Sequence, residues 1–378
     1  MQSKIAVLQV IPNLDVSGAS QGCIDIANHL EQENLVSFIV TNGGVNENKL
    51  NNAECIFKMK VHTKNPIRIL FNAFAISRII KKNNISILHA RSRAPAWSCL
   101  LASKMCNVKF VTTFHGTYNY NNPIKKLYNS VMLRTHGTIA ISEYINSDSI
   151  RYYKIKPPLV AVIKRGIDLN FFNNEKDYQN EINAISEELN IKNDDIKILL
   201  PGRITGWKGH LLTLKAIKKL NNSYQNIKLI FVGPDENVKL KNDLINFIEE
   251  HELQNNVIFT GSRHDINTFY ALADLVITAS TDPEAFGRVA IEAQAMGKFV
   301  IASNHGGSKE TVIDNETGYL FMPNDIEDLT KKLKNSIDSE IYKQPETIRS
   351  CINHIKENFT KIRMCDETIK FYKTVLDK

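Results

Sequence analysis

The chain has 378 residues, of which 43% are apolar and 23% are charged; this composition excludes a disordered protein and exceeds the length that one compact core usually needs. The six cysteines form no C-x-x-C pair, which favours buried, reduced thiols over a disulfide framework or a zinc site. Because we find neither a signal-peptide pattern nor a run of about 18 apolar residues, we expect a cytoplasmic protein without a membrane span.

The net charge of +7 is unevenly distributed. The chain through Arg165 holds 21 Lys and Arg against 8 Asp and Glu, whereas the remainder holds 26 against 32. This asymmetry is consistent with an anionic partner of the first half, such as anionic lipid, a lipid diphosphate or nucleic acid. A basic surface that only keeps the protein soluble explains the charge asymmetry equally well. The basic residues are scattered without interleaved aromatics, which disfavours nucleic acid.

The first half of the chain alternates short apolar strands with amphipathic helices. The predicted strands are 5–11, 36–41, 85–89, 110–114 and 137–141, and the predicted helices are 21–30, 67–82, 97–105 and 142–150, the last with Ser142 as its N-cap. Such alternation predicts a parallel, doubly wound sheet.

The same alternation of strands and helices begins again after the polar segment 173–195, which can hold a helix and which we expect to separate two cores. The predicted strands here are 196–201, 227–232, 257–260, 275–279 and 300–302, and the predicted helices are 210–220, 240–251, 266–272, 287–296 and 348–376. The sequence therefore predicts two Rossmann-like units, whose ligands bind at the carboxyl ends of the strands.

The segment 282–297 carries the most informative polar residues. Glu284 lies in a loop after a strand, and Phe286-Gly287 opens a helix whose free N–H groups attract phosphate. Glu292 could accept hydrogen bonds from a ribose and Glu284 from a hexose, a combination that suits a nucleotide sugar. Spacing alone favours a plainer interpretation, in which Glu284 complements the helix dipole and Glu292 is solvated.

The segment 202–209 directly follows another strand. Arg203 and Lys208 can converge on a diphosphate and stabilise the charge that develops when a nucleoside diphosphate departs. The spacing is not that of a P-loop. A basic loop in solvent remains the alternative.

Four further motifs say less about the chemistry. His115, after a strand, could touch a sugar hydroxyl or only stabilise a turn. Ser17-Gly18-Ala19-Ser20 places small residues at a helix start, but it is not G-x-G-x-x-G, so a dinucleotide is disfavoured. The segment 304–310 predicts a glycine loop and helix start, and 314–320 a tight turn before a strand.

Together these motifs resemble the retaining glycosyltransferases of family 4, whose pattern is roughly E-x-F-G-x-x-x-x-E-A-x-A-x-G followed by G-G-x-x-E and D-x-x-x-G. The matching residues are Glu284, Phe286, Gly287, Glu292, Ala293, Ala295, Gly297, Gly306, Gly307, Glu310, Asp314 and Gly318. The resemblance covers nearly the whole chain and is looser in the first half. Ala285, Arg288 and the pair Lys164-Arg165 depart from the family's usual residues.

The resemblance implies a GT-B architecture, in which two Rossmann-like, doubly wound parallel-sheet domains of α/β class face each other across a cleft. Residues 1–168 would form the acceptor-binding domain and 169–355 the nucleotide-sugar-binding domain. Residues 356–378 would form a helix that crosses back to the first domain.

It also implies a role for each site residue. The expected catalytic residues are Arg203 and Lys208 on the diphosphate, Glu284 on the transferred sugar and His115 near that sugar. The expected donor-binding residues are Gly18, Gly202, Arg263 near the base, Phe286, Gly287, Arg288, Val289 and, on the ribose, Glu292. We expect no metal and no cofactor besides the donor, in agreement with the lack of an Asp-x-Asp triplet.

The implied reaction is metal-independent transfer, with retention, of a hexose or N-acetylhexosamine from a nucleoside-diphosphate sugar, with UDP favoured over GDP. The acceptor would be a hydroxyl of a lipid-linked or polysaccharide glycan, in lipopolysaccharide or capsule synthesis. A nucleotide-sugar epimerase or hydrolase, or a non-catalytic sugar-nucleotide binder, remains the alternative. The basic, amphipathic segment 123–134 could lie on the cytoplasmic face of an anionic inner membrane or pack on the first sheet.

Overall fold

The chain folds into two compact units. The computed structural model describes residues 5–118, 122–153 and 155–378. The first unit combines Met1–Gly166 with Lys361–Lys378, and the second is Ile167–Thr360. No helix in the described ranges has the length and apolar character needed to cross a bilayer. All six cysteines are free thiols, and five of them are buried, as predicted.

The first unit is built on a seven-stranded parallel sheet. Its strands are β1 (Ala6–Val10), β2 (Val36–Thr41), β3 (Ile56–Lys58), β4 (Ile87–Ala90), β5 (Lys109–Phe114), β6 (Gly137–Ala140) and β7 (Val160–Val162). The order is β3-β2-β1-β4-β5-β6-β7, so the winding reverses between β1 and β4, which pair with Val7 opposite Ile87. Every residue of β1 and β4 is buried, as in a sheet covered on both faces.

The second unit contains a six-stranded parallel sheet. Its strands are β8 (Ile196–Pro201), β9 (Ile227–Val232), β10 (Val257–Phe259), β11 (Leu275–Thr278), β12 (Phe299–Ser303) and β13 (Gly318–Phe321). The order is β10-β9-β8-β11-β12-β13, the 3-2-1-4-5-6 order of a Rossmann fold. The reversal lies between β8 and β11, which pair with Ile198 opposite Leu275. The predicted α/β class with two doubly wound sheets is therefore confirmed.

Thirteen α-helices connect and cover the strands in the described ranges. They are α1 (Gly18–Gln32), α2 (Pro66–Lys82), α3 (Arg93–Cys106), α4 (Pro123–Asn129), α5 (Gln179–Glu188), α6 (His210–Leu220), α7 (Val238–Glu250), α8 (Ile266–Leu272), α9 (Arg288–Ala295), α10 (Ser308–Thr311), α11 (Ile326–Asp338), α12 (Pro345–Asn358) and α13 (Lys361–Asp377). Capping side chains and a proline mark where two of these helices begin. Ser17 caps α1 by accepting from the Ser20 N–H at 3.1 Å, and Asn65 caps α2 ahead of a proline.

Each unit buries its own apolar core. In the first unit, Val7 and Ile87 of the sheet pack with residues of α13, among them Tyr372, whose hydroxyl lies 2.6 Å from His89 Nδ1. In the second unit, the core runs from strand residues such as Ile277 to α11, where Leu329 and Leu333 are buried.

The C-terminal segment differs from the prediction of one continuous helix over 348–376. It is divided at Phe359-Thr360 into α12 and α13. The carbonyl of Phe359 accepts the N–H of Ile167 at 2.9 Å, and Thr360 forms a parallel bridge with Ile167. The backbone at this point therefore bonds to another segment instead of continuing the helical ladder.

The polar segment 173–195 is part of the second unit, where it forms α5 and buries Ile185 and Ile191. The segment lies along the chain between β7 and β8, and its two buried apolar residues anchor it to the second unit. The sequence pattern did not predict β3, β7 or α11. The two strands lie at the edges of the first sheet and have only three residues each.

Candidate functional site

The polar residues of the second unit gather where the winding of its sheet reverses. β8 leads into the loop with Arg203 and Lys208, and β11 leads into the loop with Glu284. In an open parallel sheet this switch point is where a crevice forms beyond the carboxyl ends of the strands. This location agrees with the prediction from the sequence that ligands bind at the carboxyl ends of the strands, a relation we call the strand-end rule.

Lys208 and Glu284 are in direct contact. Lys208 Nζ lies 2.5 Å from Glu284 Oε1, and their side chains are only 18% and 13% exposed. Ser280 Oγ donates to the same carboxylate oxygen at 2.6 Å. The ammonium of Lys208 also lies 4.4 Å from the centre of the Trp207 ring, which adds a cation–π contact. A cation and an anion are thus held side by side in a partly buried position.

Glycines allow the loops to approach closely. Gly209 has φ +76°, and a Cβ there would lie 1.8 Å from the carbonyl oxygen of Ala279. A Cβ on Gly307 would lie 2.4 Å from Cα of Phe286, and the Gly307 N–H donates to the Glu284 carbonyl at 2.8 Å. These contacts fix the backbone that carries Lys208 and Glu284, because no larger residue fits at either position.

The predicted helix start after Glu284 is present. Gly287, with φ +97°, is the N-cap of α9, and no side chain caps the first N–H groups, those of Arg288 and Val289. Phe286 is buried and packs on Phe359 with ring centres 5.8 Å apart. The start of α9 therefore presents amide donors that have no side-chain cap among the described residues, together with the positive end of the helix dipole.

Glu292 lies one turn into α9 and already has two partners. Arg288 Nη2 lies 2.8 Å from one carboxylate oxygen, and the Tyr270 hydroxyl donates to the other at 3.0 Å. Burial, reinforced by the Glu292 charge, raises the pKa of Tyr270 well above its usual value. The carboxylate is therefore oriented rather than freely solvated, and it retains lone pairs for further donors.

Gly202 and Arg203 begin the loop after β8. Gly202 has φ +147°, and its N–H donates to the Val232 carbonyl at 2.8 Å. Arg203 is exposed and makes no ion pair with any residue in the described ranges. The structure thus brings Lys208 to Glu284, while the Arg203 guanidinium remains in solvent on the same loop.

Arg263, the residue expected near the base, contacts two carboxylates. Its guanidinium binds two carboxylates, with Nη1 2.8 Å from Glu188 and Nη2 2.8 Å from Asp265. These hydrogen bonds raise its pKa, with Asp265 contributing most. The pairs tie α5 to the loop before α8, so the donors of Arg263 are already in use.

His115 and Gly18 belong to the first unit, after β5 and at the start of α1. Both ring nitrogens of His115 are buried and lack a hydrogen-bond partner among the described residues. Burial, together with the charges of Arg165 and Arg91, lowers the pKa of His115 well below its usual value. The imidazole is therefore neutral near pH 7. The Gly18 carbonyl accepts from the Arg165 guanidinium.

Three residues near these sites were not predicted. Ser280 and Arg91 each follow a strand, β11 and β4, so the strand-end rule applied to every polar residue would have found them. Tyr270 lies inside α8, where an apolar helix face gives no signal of a hydrogen bond to Glu292.

Comparisons with known proteins agree with this architecture. Residues 16–171 match the family Glycosyltransferase Family 4, and residues 181–356 match Glycosyl transferases group 1. A crystal structure of a glycosyltransferase from Rickettsia africae ESF-5 is 35% identical, with a TM-score of 0.90 over 99% of both chains. Anabaena HepE, solved in complex with UDP and glucose, is 20% identical, with a TM-score of 0.83 over 98% of this chain and 99% of that one.

Curated relatives match over shorter segments. The lipopolysaccharide 1,2-N-acetylglucosaminetransferase of Salmonella typhimurium is 34% identical over 210 residues, which cover 53% of this chain and 54% of that protein. Protein CapJ of Staphylococcus aureus is 29% identical over 244 residues, 62% of this chain and 60% of that protein. Both matches span less than two thirds of the relative. Through the two family matches and its full-length likeness to the Rickettsia protein, the chain belongs to glycosyltransferase family 4, with the GT-B fold expected of it.

Proposed function

We propose that the chain transfers a hexose or N-acetylhexosamine from a nucleoside-diphosphate sugar, UDP rather than GDP, to a hydroxyl of a lipid-linked or polysaccharide acceptor. The place of this reaction would be cell-envelope glycan synthesis, of lipopolysaccharide or capsule, in the cytoplasm. The names of two relatives support this assignment: the Salmonella protein is a lipopolysaccharide N-acetylglucosaminetransferase, and WaaG, which shares the fold, is involved in lipopolysaccharide biosynthesis.

The contact between Lys208 and Glu284 carries the proposal. In a glycosyl diphosphate the sugar hydroxyls and the phosphate oxygens are close neighbours. A site for such a donor needs a cation for the phosphate next to an acceptor of hydroxyl hydrogen bonds. Lys208 and Glu284, 2.5 Å apart at the switch point, supply this combination.

The remaining donor contacts follow from the same geometry. The exposed guanidinium of Arg203, on the same loop as Lys208, would bind the diphosphate, and the uncapped amides of Arg288 and Val289 would bind its oxygens. Glu292, oriented by Tyr270, would accept from the ribose hydroxyls. Arg263, whose guanidinium is occupied by carboxylates, would at most border the base.

The proposed chemistry is a front-face displacement with retention. The bond between the sugar C1 and the phosphate oxygen breaks as C1 bonds to the acceptor oxygen, and the acceptor proton passes to the departing phosphate. Lys208, Arg203 and the start of α9 would stabilise the negative charge that develops on that phosphate. His115, neutral near pH 7, would contribute a hydrogen bond to the sugar rather than a charge. We propose that no metal is required.

Donor binding is tested first by screening UDP- and GDP-sugars for thermal stabilisation of the full chain. A ligand that binds only the folded state raises the melting temperature with its concentration. We expect a UDP-sugar to stabilise the protein more than its GDP counterpart. Equal melting temperatures with and without every donor would contradict the proposal. Release of UDP or formation of a new sugar without acceptor would instead indicate a hydrolase or an epimerase.

Peripheral contact with an anionic membrane is part of the proposal, and an exposed apolar stripe on α2 supports it. Ile67, Leu70, Phe71 and Phe74 recur at helical spacing and are 45% to 68% exposed. Residues 55–142 contain 14 Lys and Arg and no Asp or Glu. An apolar helix face within an acid-free, basic segment suits the surface of an anionic bilayer.

The segment 123–134 contributes only its first half to this surface. Ile124 and Leu127 of α4 are exposed, whereas Val131, Met132 and Leu133 are buried. We expect sedimentation with vesicles that contain anionic lipid and not with neutral ones, and a weaker effect in the double variant Phe71→Asp, Phe74→Asp. The control is Met322→Asp at an exposed apolar residue of the second unit. Sedimentation that does not depend on anionic lipid would contradict the proposed contact with an anionic membrane.

A further inference from the structure

A pocket in the first unit takes no part in the proposed contacts to the donor diphosphate, ribose and base, although His115, the proposed hydrogen-bond partner of the sugar, is one of its lining residues. It has a volume of about 390 Å³ and lies at the carboxyl ends of β1, β4 and β5, the switch point of the first sheet. Its charged lining residues are Arg91 and Arg93, and none of its lining residues is Asp or Glu.

Arg91 is a buried cation that forms no ion pair with any residue the structure describes. It directly follows β4 and is 1% exposed, and its Nε and Nη2 have no hydrogen-bond partner in the described part of the chain. Its ionisable neighbours include His89 and His115, whose pKa values burial lowers well below normal, and the cation Arg165. Because burying an unpaired charge is costly, this arrangement indicates that a ligand supplies the missing anion.

Arg93 adds a second guanidinium at the same pocket. Its Nη1 donates to Asn129 Oδ1 at 3.1 Å, and its guanidinium carbon lies 4.1 Å from the centre of the Tyr118 ring. These contacts orient the side chain while leaving its charge uncompensated, since no ion pair involves it in the described ranges.

Two long helices also begin at the pocket. Ser17, the N-cap of α1, and Ser92, the N-cap of α3, both line it. The Ser92 side chain makes no capping hydrogen bond, so its hydroxyl and the first amides of α3 remain available. Helix starts attract anions through these amides and the helix dipole, which reinforces the two arginines.

We infer that this pocket binds an oxyanion, a phosphate or a carboxylate, carried by the acceptor close to the hydroxyl that receives the sugar. The inference rests on the proposed glycosyltransferase function and deepens it: the acceptor is an acid, and Arg91 and Arg93 select it against neutral glycans. The diphosphate of the donor is not the ligand of this pocket, because Lys208, Arg203 and the start of α9 are its proposed partners.

The test is calorimetric titration of the full chain, with and without UDP, using inorganic phosphate, a sugar phosphate monoester, a hydroxycarboxylate and a neutral sugar. We expect the phosphate compounds or the hydroxycarboxylate to bind and the neutral sugar not to bind. Comparison of the phosphate compounds with the hydroxycarboxylate shows whether the oxyanion of the acceptor is a phosphate or a carboxylate. Arg91→Gln and Arg93→Gln should each weaken that binding about tenfold or more.

Lys208→Met separates this pocket from the donor site. With the donor site filled by saturating UDP, it should leave anion binding unchanged, and the two arginine variants should keep the thermal stabilisation by the donor. Arg93→Gln, at a half-buried position, keeps the test decisive if Arg91→Gln does not fold. Absence of anion binding, or anion binding lost in Lys208→Met but retained in Arg93→Gln, would overturn the inference. Failure of the donor to stabilise the wild type would instead count against the proposed function.

Discussion

Lys208 and Glu284 are joined by an ion pair of 2.5 Å that links the loop after β8 to the loop after β11. Ser280 donates to the same carboxylate, so Glu284 is held by two donors. In the free protein the Lys208 charge is therefore already compensated. A bound diphosphate must share this ammonium with the carboxylate, and this competition leads to two opposite predictions for the two residues.

Lys208→Met should lower the turnover of donor by about 10²-fold or more, because it removes a cation that stabilises the departing diphosphate. The measurement is the steady-state rate of nucleoside-diphosphate release at saturating donor. The matched control is Lys219→Met on the exposed face of α6, where the ammonium pairs with Glu327 at 2.6 Å. Turnover equal to wild type in Lys208→Met would refute the phosphate role.

Glu284→Gln should separate binding from transfer. Removing the carboxylate frees Lys208 and takes a negative charge away from the diphosphate, so UDP affinity should rise by about fivefold, the equivalent of about 1 kcal/mol. Turnover should nevertheless fall, because the neutral amide of Gln accepts weaker hydrogen bonds from the sugar hydroxyls than the carboxylate does. Calorimetry with UDP and initial rates with the donor measure the two effects. A variant that weakens UDP binding would place Glu284 outside the competition described above.

Chelation should not affect the reaction. The proposed charge stabilisation comes from Lys208, Arg203 and the amides at the start of α9, so donor turnover should be the same in excess EDTA and in millimolar Mg²⁺. Rates measured after dialysis against chelator provide the comparison. A loss of activity that Mg²⁺ or Mn²⁺ restores would show that the chemistry depends on a metal.

The first unit should lose stability in mild acid because of His115 and His89. Burial lowers both pKa values well below normal, so the unfolded chain binds protons below about pH 6.5 while the folded chain does not. The free energy of unfolding should then decrease as the pH falls from 7.5 to 5.5, by at most about 1.4 kcal/mol per histidine. Denaturant unfolding at pH 7.5 and 5.5 measures this loss.

His115→Gln removes one of these titrating groups. We expect its loss of stability between pH 7.5 and 5.5 to be smaller than that of wild type by about the contribution of one histidine. Equal losses in the two proteins would mean that His115 accepts a proton in the folded state.

Much of the fold could be predicted from sequence because both sheets are buried on both faces. Apolar runs such as the one containing β1 have no polar alternation, and they mark central parallel strands. The short edge strands β3 and β7 gave no comparable signal. The break at Phe359-Thr360 depends on pairing with Ile167, a contact between residues almost two hundred positions apart that a local pattern does not encode.

The candidate site was predictable to a similar extent. The strand-end rule located Lys208 and Glu284, and the family pattern assigned their roles, but only the structure brings the two side chains into contact. It also occupies the Arg263 guanidinium with Glu188 and Asp265. Neither pair could be inferred from spacing, because each forms across separate elements of the fold.

The central claim is that a nucleoside diphosphate binds at the switch point of the second unit through Lys208. Calorimetric titration of UDP into wild type, Lys208→Met and the control Lys219→Met tests it most directly. We predict saturable binding to wild type, an affinity lower by about tenfold or more in Lys208→Met, and no change in the control. Absence of UDP binding, or equal affinities in wild type and Lys208→Met, would contradict the claim.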